Sequence, residues 1–318
     1  MSAFIEFFQS SEVTLSNKLL EVVYIVIGLI TIYVAFCNLM DEKNKKRVGS
    51  FIFWLALGLL FIIGKWIPAL WSGILVIIMA LPSIFKQVGT GHMEVPTQEE
   101  MQDNFKNIGM KIFVPALCIG IFALIFALFT KISSLVGIGL GVLVAVIILM
   151  AYSRKNKPGV FMGDCRRMLD IVGPLSMLPI LLAGLGAVFT TAGVGEVISS
   201  IVSNFIPEGN VVIGIIVYAV GMALFTMIMG NAFAAITVLT VGIGAPFVLA
   251  YGADPVVIGS LALTCGFCGT LCTPMGANFN IVPVALLDMK DKYGVIKKQI
   301  VIAAIMLVVQ ICFMIILK

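Results

Sequence analysis

The sequence predicts an all-α polytopic membrane protein of about ten transmembrane helices, with a re-entrant hairpin and broken helices in its C-terminal half. Three observations predict this class. Hydrophobic residues make up 61% of the 318 residues and charged residues only 11%, against about 25% charged in an ordinary soluble domain. The apolar runs have the length a helix needs to cross about 30 Å of hydrocarbon, roughly 17–25 residues. Between Gly209 and Leu287 the chain carries a single charged residue, Asp254. Residues 1–18 hold Glu6 and Glu12 and no basic stretch, so no secretory signal is expected there.

The basic residues orient the spans. All lysines and arginines except Lys18, Lys65, Lys131 and Lys318 fall in four groups. These are Lys43, Lys45, Lys46 and Arg47; Lys86, Lys106 and Lys111; Arg154, Lys155, Lys157, Arg166 and Arg167; and Lys290, Lys292, Lys297 and Lys298. With the four groups cytoplasmic, as the positive-inside rule expects, both termini lie outside. The expected path crosses inward over 20–40, outward over 50–64, inward over 69–85, outward over 112–130 and inward over 135–152. It continues outward over 168–189, then through a Gly- and Ser-rich hairpin at 190–207. Spans at 211–229, 232–251, 255–287 and 299–317 complete it. Composition divides the chain at Lys157-Pro158-Gly159. Region 1–157 reads as a scaffold of continuous apolar helices, and region 158–318 is rich in Gly, Thr and Asn at membrane depth. The positive charge is thus an orientation signal, and no nucleic-acid partner is expected.

Two polar interruptions carry the candidate chemistry. At Gly230-Asn231, glycine loosens a helix and asparagine is a good N-cap for the next one. A half-helix starting there points free N–H groups and partial positive charge into the membrane, which favours an anion. Thr226 and Thr237 add hydroxyls. At Thr273-Pro274-Met275-Gly276, proline removes a donor and glycine frees the backbone. Thr273, Asn278 and Asn280 then offer hard oxygens that suit Na⁺ rather than a transition metal. Packing alone also accounts for such residues, because kinked membrane helices commonly bond Asn and Thr to their neighbours. Residues 171–287 contain no Lys, Arg or His. An anion bound there is held by helix ends, hydroxyls and amides, which suits a small carboxylate. Glu196 is the carboxylate placed to serve a proton or cation, or to lie in interfacial water.

Cys265, Cys268 and Cys272 share one helical face and allow a redox or metal reading. The single histidine, His92, lies in a distant loop, where it reads as solvated. Close packing of small thiols is therefore the plainer account, and neither a disulfide framework nor a metal centre is expected. There is no P-loop and no Ser-His-Asp pattern, so ATP-driven pumping and hydrolytic catalysis are not expected. The chain reads as a non-enzyme with no cofactor beyond a coupling ion.

The segment Ile171-Val172-Gly173-Pro174-Leu175, with Leu182 through Gly193-Val194-Gly195-Glu196, resembles the helix and Gly-rich hairpin of gluconate-type permeases in the ion transporter superfamily. Thr273-Pro274-Met275-Gly276-Ala277-Asn278 resembles a Thr-Pro turn in the large membrane subunit of tripartite carboxylate transporters. Over nearly its whole length the chain resembles the larger subunit of a bacterial two-subunit 5-oxoproline (pyroglutamate) transporter family. The resemblance implies a bacterial cytoplasmic membrane protein, an elevator-like symport cycle and Na⁺ or H⁺ coupling. It also implies an oligomer with a second, smaller membrane subunit. Carried over by residue, Gly230 and Asn231 match one unwound point, and Thr273, Pro274, Gly276 and Asn278 match the other. Superfamily members have two hairpin–helix pairs and only one is visible here, in a chain short for a complete member. A partner subunit completing the site accounts for both departures. The readings set against transport are the cysteine redox protein and a non-transporting assembly subunit.

Overall fold

The computed structural model describes residues 2–91, 97–152, 157–204, 206–207 and 209–318. The described residues are helical, without strands. They form two compact units, Met1–Asp170 and Ile171–Lys318. The boundary expected from composition, 157/158, coincides with the start of the helix that runs through both units.

The first unit begins with α1 (Ser2–Gln9) and α2 (Leu15–Met40). Thr14 caps α2 by accepting from the Asn17 N–H. Then come α3 (Arg47–Ile63), α4 (Ala69–Ile84) and α5 (Gln98–Ile108). A 3₁₀ turn (Gly109–Ile112) leads into α6 (Phe113–Phe129), and α7 (Ser134–Tyr152) follows. α5, whose sequence is Gln98-Glu-Glu-Met-Gln-Asp-Asn-Phe-Lys-Asn-Ile108, is a polar, amphipathic helix between the apolar runs of α4 and α6. His92 and Glu94 lie outside the described residues. Lipid is as apolar as leucine, so packing and polar contacts hold such helices together rather than removal from water. Glu21 illustrates the polar part: it is buried in α2 and meets Lys65 Nζ at 3.3 Å. That ammonium, on a half-exposed side chain, also sits 3.5 Å from the centre of the Phe7 ring, a cation–π contact that adds to the ion pair.

α8 (Pro158–Thr191) is interrupted near Pro174, with parts Pro158–Gly173 and Leu175–Thr191. The second unit continues with α9 (Val194–Val202), entered through Gly193 at φ +71°. The segment expected as a hairpin at 190–207 is therefore the end of α8 followed by a short helix. α10 (Val211–Met229) is capped by the Asn210 side chain, which accepts from the Ile213 N–H. α11 (Ala232–Leu239) then returns alongside it, continuing through a π turn (Thr240–Gly244), α12 (Ala245–Phe247) and a 3₁₀ turn (Leu249–Tyr251). The π turn has a local cause. Pro246 lacks an N–H, and the Ala245 N–H reaches back to the Thr240 carbonyl, a wide-turn bond that accommodates the proline. Asp254, the lone charge of the apolar stretch, caps α13 (Pro255–Leu271) by accepting from the Val256 and Val257 N–H groups. α14 (Ala277–Leu286) and α15 (Gly294–Leu317) complete the unit. Its core gathers Ile215, Tyr218, Met222, Leu239, Ile243, Ile258, Cys265 and Met314. The Tyr218 hydroxyl lies 2.6 Å from Thr240 Oγ1.

Among the described residues six helices are long and apolar enough to cross a membrane, or seven if the two parts of α8 form one span. The expected ten is a larger number because α3, α4 and α13 have only 16 or 17 residues. At 1.5 Å per residue these reach about 25 Å, short of the roughly 30 Å of hydrocarbon.

Candidate functional site

Both interruptions are real breaks, and they lie together in the second unit. Gly230 ends α10 at φ +70°, with its N–H on the Thr226 carbonyl at 2.6 Å. Only glycine adopts that conformation without strain. Asn231 then caps α11, its Oδ1 accepting from the Phe233 N–H at 2.9 Å and the Ala234 N–H at 3.4 Å. The turn is also sterically closed: a Cβ on Gly230 would collide with the Met275 carbonyl. Met275 belongs to the second break, so the two turns touch backbone to backbone.

The second break is stitched by side chains. Cys272 ends α13, Pro274 offers no donor, and the Met275 N–H bonds to Thr273 Oγ1 at 3.2 Å. Asn280 reaches back from α14 and donates its Nδ2 to the carbonyls of Thr270 (2.8 Å) and Thr273 (2.7 Å). Both carbonyls also accept from the backbone, Thr270 from the Thr273 N–H at 3.4 Å and Thr273 from the Gly276 N–H at 3.3 Å, so the amide adds a second, shorter bond to each. Asn280 is fully buried, and its Oδ1 has no partner among the described residues.

A cavity of about 200 Å³ opens where the turns meet. It is lined by Gly230, Asn231, Ala232 and Phe233 from the first break and by Gly276, Ala277, Asn278 and Phe279 from the second, with Phe267 and Thr270 of α13. Two helix starts, those of α11 and α14, thus face one space. The first-turn N–H groups of Ala277 and Asn278 have no acceptor within their own helix, as at any helix start. One wall is aromatic: Phe267 meets Phe233 and Phe279 edge-on, with ring centres 5.9 and 6.3 Å apart. The lining is amphipathic, combining helix-start peptide groups with aromatic rings, and it lacks a cationic side chain.

Of the residues singled out from sequence, Gly230, Asn231, Gly276 and Asn278 line this cavity. The others sit elsewhere. Thr226 is buried in α10 beside Gly266, with an unpartnered hydroxyl. Thr237 donates to the Ala234 carbonyl and contacts Thr190. Thr273 Oγ1 accepts within the turn itself, and Asn280 donates its amide there while its Oδ1 keeps no partner among the described residues. The carbonyls of Thr270 and Thr273 at this break both accept from the Asn280 amide. Glu196 lies exposed in the first turn of α9, which packs on the π turn through Gly195 and Gly242, away from the cavity lining. The aromatic wall went unread in the sequence. Phenylalanine is common in apolar runs, and only the fold brings these three together.

The first unit holds a buried polar cluster that the sequence reading also missed. Asp170 of α8, 3% exposed, accepts from Asn38 Nδ2 at 2.8 Å, Trp54 Nε1 at 3.1 Å and the Gly91 N–H at 3.1 Å. Arg166 bridges it to Asp41, at 3.8 and 3.0 Å. Asp170 immediately precedes the stretch 171–287 that holds the candidate site. An Asn and an Asp facing inward from apolar helices were the available signal.

Cys265 and Cys268 are buried free thiols, and Cys272 donates to the Cys268 carbonyl at 3.3 Å. Among the described residues no group of three or more His, Cys, Asp or Glu side chains is placed to hold a metal ion.

Residues 21–318 match the model of a family described as protein of unknown function (DUF979). The chain belongs to this family. No curated protein and no solved structure matches the chain. For this DUF979 member the broken-helix cavity therefore carries the functional reading on its own geometry.

Proposed function

We propose that the chain is the larger subunit of a secondary transporter for a small carboxylate, moved by cation-coupled alternating access. The observation that supports this reading is the convergence of two helix starts and an aromatic wall on one small cavity at breaks in apolar helices. Irregular backbone at membrane depth is tolerated where it faces protein or a water-filled space, and paired breaks of this kind form solute sites in secondary transporters. A carboxylate meets the first-turn N–H groups of Ala277 and Asn278 at the start of α14 and the Asn231 side chain at the start of α11, and an apolar ring meets Phe233, Phe267 and Phe279. A cavity of about 200 Å³ is below the roughly 300–1,000 Å³ of drug-sized sites, so the ligand is small. 5-Oxoproline, a five-membered ring with one carboxylate, combines both features, and the resemblance to the 5-oxoproline transporter family favours it. Na⁺ or H⁺ supplies the coupling, and a smaller membrane subunit completes the assembly.

Uptake of labelled 5-oxoproline into vesicles tests the proposal, with the chain alone and together with the smaller subunit. Accumulation driven by a Na⁺ or H⁺ gradient is expected, and no flux under either gradient with both subunits present rejects it.

Two substitutions separate transport from assembly. Asn231→Asp keeps the cap, since the two residues cap equally well, but sets a negative charge at the cavity. It is expected to leave the melting temperature unchanged and to abolish uptake. Asn231→Ala is expected to lower stability by about 1 kcal/mol. Normal uptake in both variants would indicate an assembly role. Serine at Cys265, Cys268 and Cys272 together is expected to retain uptake, and its loss in a folded variant would favour the redox reading.

A further inference from the structure

The first unit carries a second pair of cavities that the transport reading does not use. One, of about 380 Å³, lies between the loop of residues 43–46 and the segment 89–91. Its lining includes Lys43, Lys45 and Lys46. None of these lysines forms an ion pair with a described residue. Of the acids nearby, Asp41 and Asp170 are taken by Arg166, and Glu42 is exposed. Lys46 stands at the N-cap of α3 and makes no side-chain capping bond; Asn44 takes the Lys46 and Arg47 N–H groups, and those of Val48 and Gly49 remain for an outside acceptor. The opposite wall is fixed from within. Ser50, fully buried, bonds both the carbonyl and the N–H of Gly89 at 3.0 Å. Asp170 holds the Gly91 N–H at 3.1 Å.

The adjoining cavity is apolar, about 430 Å³, between α3 and α4. Val48, Ile52, Ile78, Leu81 and Phe85 line it. It begins one or two residues beyond the basic cavity on both strands of chain, at Val48 after Lys46 and at Gln87 before Gly89. The basic end lies just past Met40, where the candidate span α2 stops. A cationic pocket with an apolar groove two residues away on each segment, at the end of a candidate membrane helix, matches one kind of molecule.

We propose that these cavities bind an anionic phospholipid, its phosphate among Lys43, Lys45 and Lys46 at the start of α3 and an acyl chain along α3 and α4. A free phosphate would satisfy the basic cavity but leave the groove unused.

Native mass spectrometry of the full chain in detergent, titrated with phosphatidylglycerol or phosphatidylcholine, tests the assignment. Each surface lysine contributes on the order of a few-fold to binding an anionic lipid, so Lys43→Gln, Lys45→Gln and Lys46→Gln together are expected to weaken phosphatidylglycerol by about tenfold or more. Lys290→Gln, Lys292→Gln and Lys298→Gln together remove the same charge elsewhere and are expected to change it less than about twofold. Leu81→Trp, filling the groove, is expected to weaken phosphatidylglycerol while the lysines remain. Equal effects of the two lysine triples overturn the site. Displacement of the lipid by inorganic phosphate at matched concentration overturns the lipid as the source and leaves a soluble phosphate ligand. Should the first triple fail to fold, Thr90→Glu at an exposed position in the cavity wall carries the same expectation, and unchanged binding in that variant overturns the site.

Discussion

Alanine at Asp170 is expected to destabilise the protein by about 3–5 kcal/mol, the usual cost of removing one partner from a buried charged network. The carboxylate is the shared acceptor for Asn38, Trp54 and the Gly91 N–H, with Arg166 beside it. Its removal leaves the Trp54 and Gly91 N–H groups and one Asn38 amide hydrogen without this acceptor, and leaves Arg166 paired with Asp41 alone; donors stranded in this way resist burial. Asp170→Asn is expected to fall between, since an amide oxygen keeps one acceptor while its NH₂ faces a donor. Thermal unfolding in detergent reads the effect. Asp291→Ala provides the control: that carboxylate is exposed, pairs with Lys297 at 2.8 Å and accepts the Tyr293 N–H at 3.0 Å, and exposed pairs of this kind contribute about 0–1 kcal/mol. Equal melting temperatures for the two alanine variants would show that the Asp170 cluster does not hold the first unit together.

Alanine at Gly230 is the second large effect expected. Holding a left-handed backbone with a Cβ costs about 1–2 kcal/mol. Crowding a packed site adds about 1–3 kcal/mol, and here the atom met is the Met275 backbone carbonyl rather than a side chain able to turn away. The sum, about 2–5 kcal/mol, falls on the contact that holds the two breaks together. A lower melting temperature and loss of uptake are both expected. A variant with wild-type stability and transport would mean that the turns need not touch.

What could be read from sequence follows from how local each signal is. Gly230-Asn231 and Pro274 with Gly276 announce their breaks because backbone chemistry at those residues is sufficient cause. Helix spans are legible for the same reason, except where α3, α4 and α13 fall a turn short of the bilayer. The roles of Thr226, Thr237 and Asn280 were not legible. A hydroxyl or amide in an apolar run can face a cavity, a neighbour or its own backbone, and only packing decides among these. Asn280 chose the carbonyls of Thr270 and Thr273, ten and seven residues away. The aromatic wall and the Asp170 cluster depend on contacts distant in sequence, up to 132 residues for Asn38 and Asp170, which no local pattern encodes.

The account rests on a water-accessible anion site where the starts of α11 and α14 meet. Its most direct test is a single cysteine in place of the exposed Asn278, in a chain whose native cysteines are replaced, treated with a charged, water-soluble thiol reagent. Labelling that 5-oxoproline or a similar small carboxylate slows is the predicted result. A thiol that stays unlabelled from both sides of the membrane, or one labelled at a rate that no carboxylate alters, would contradict it.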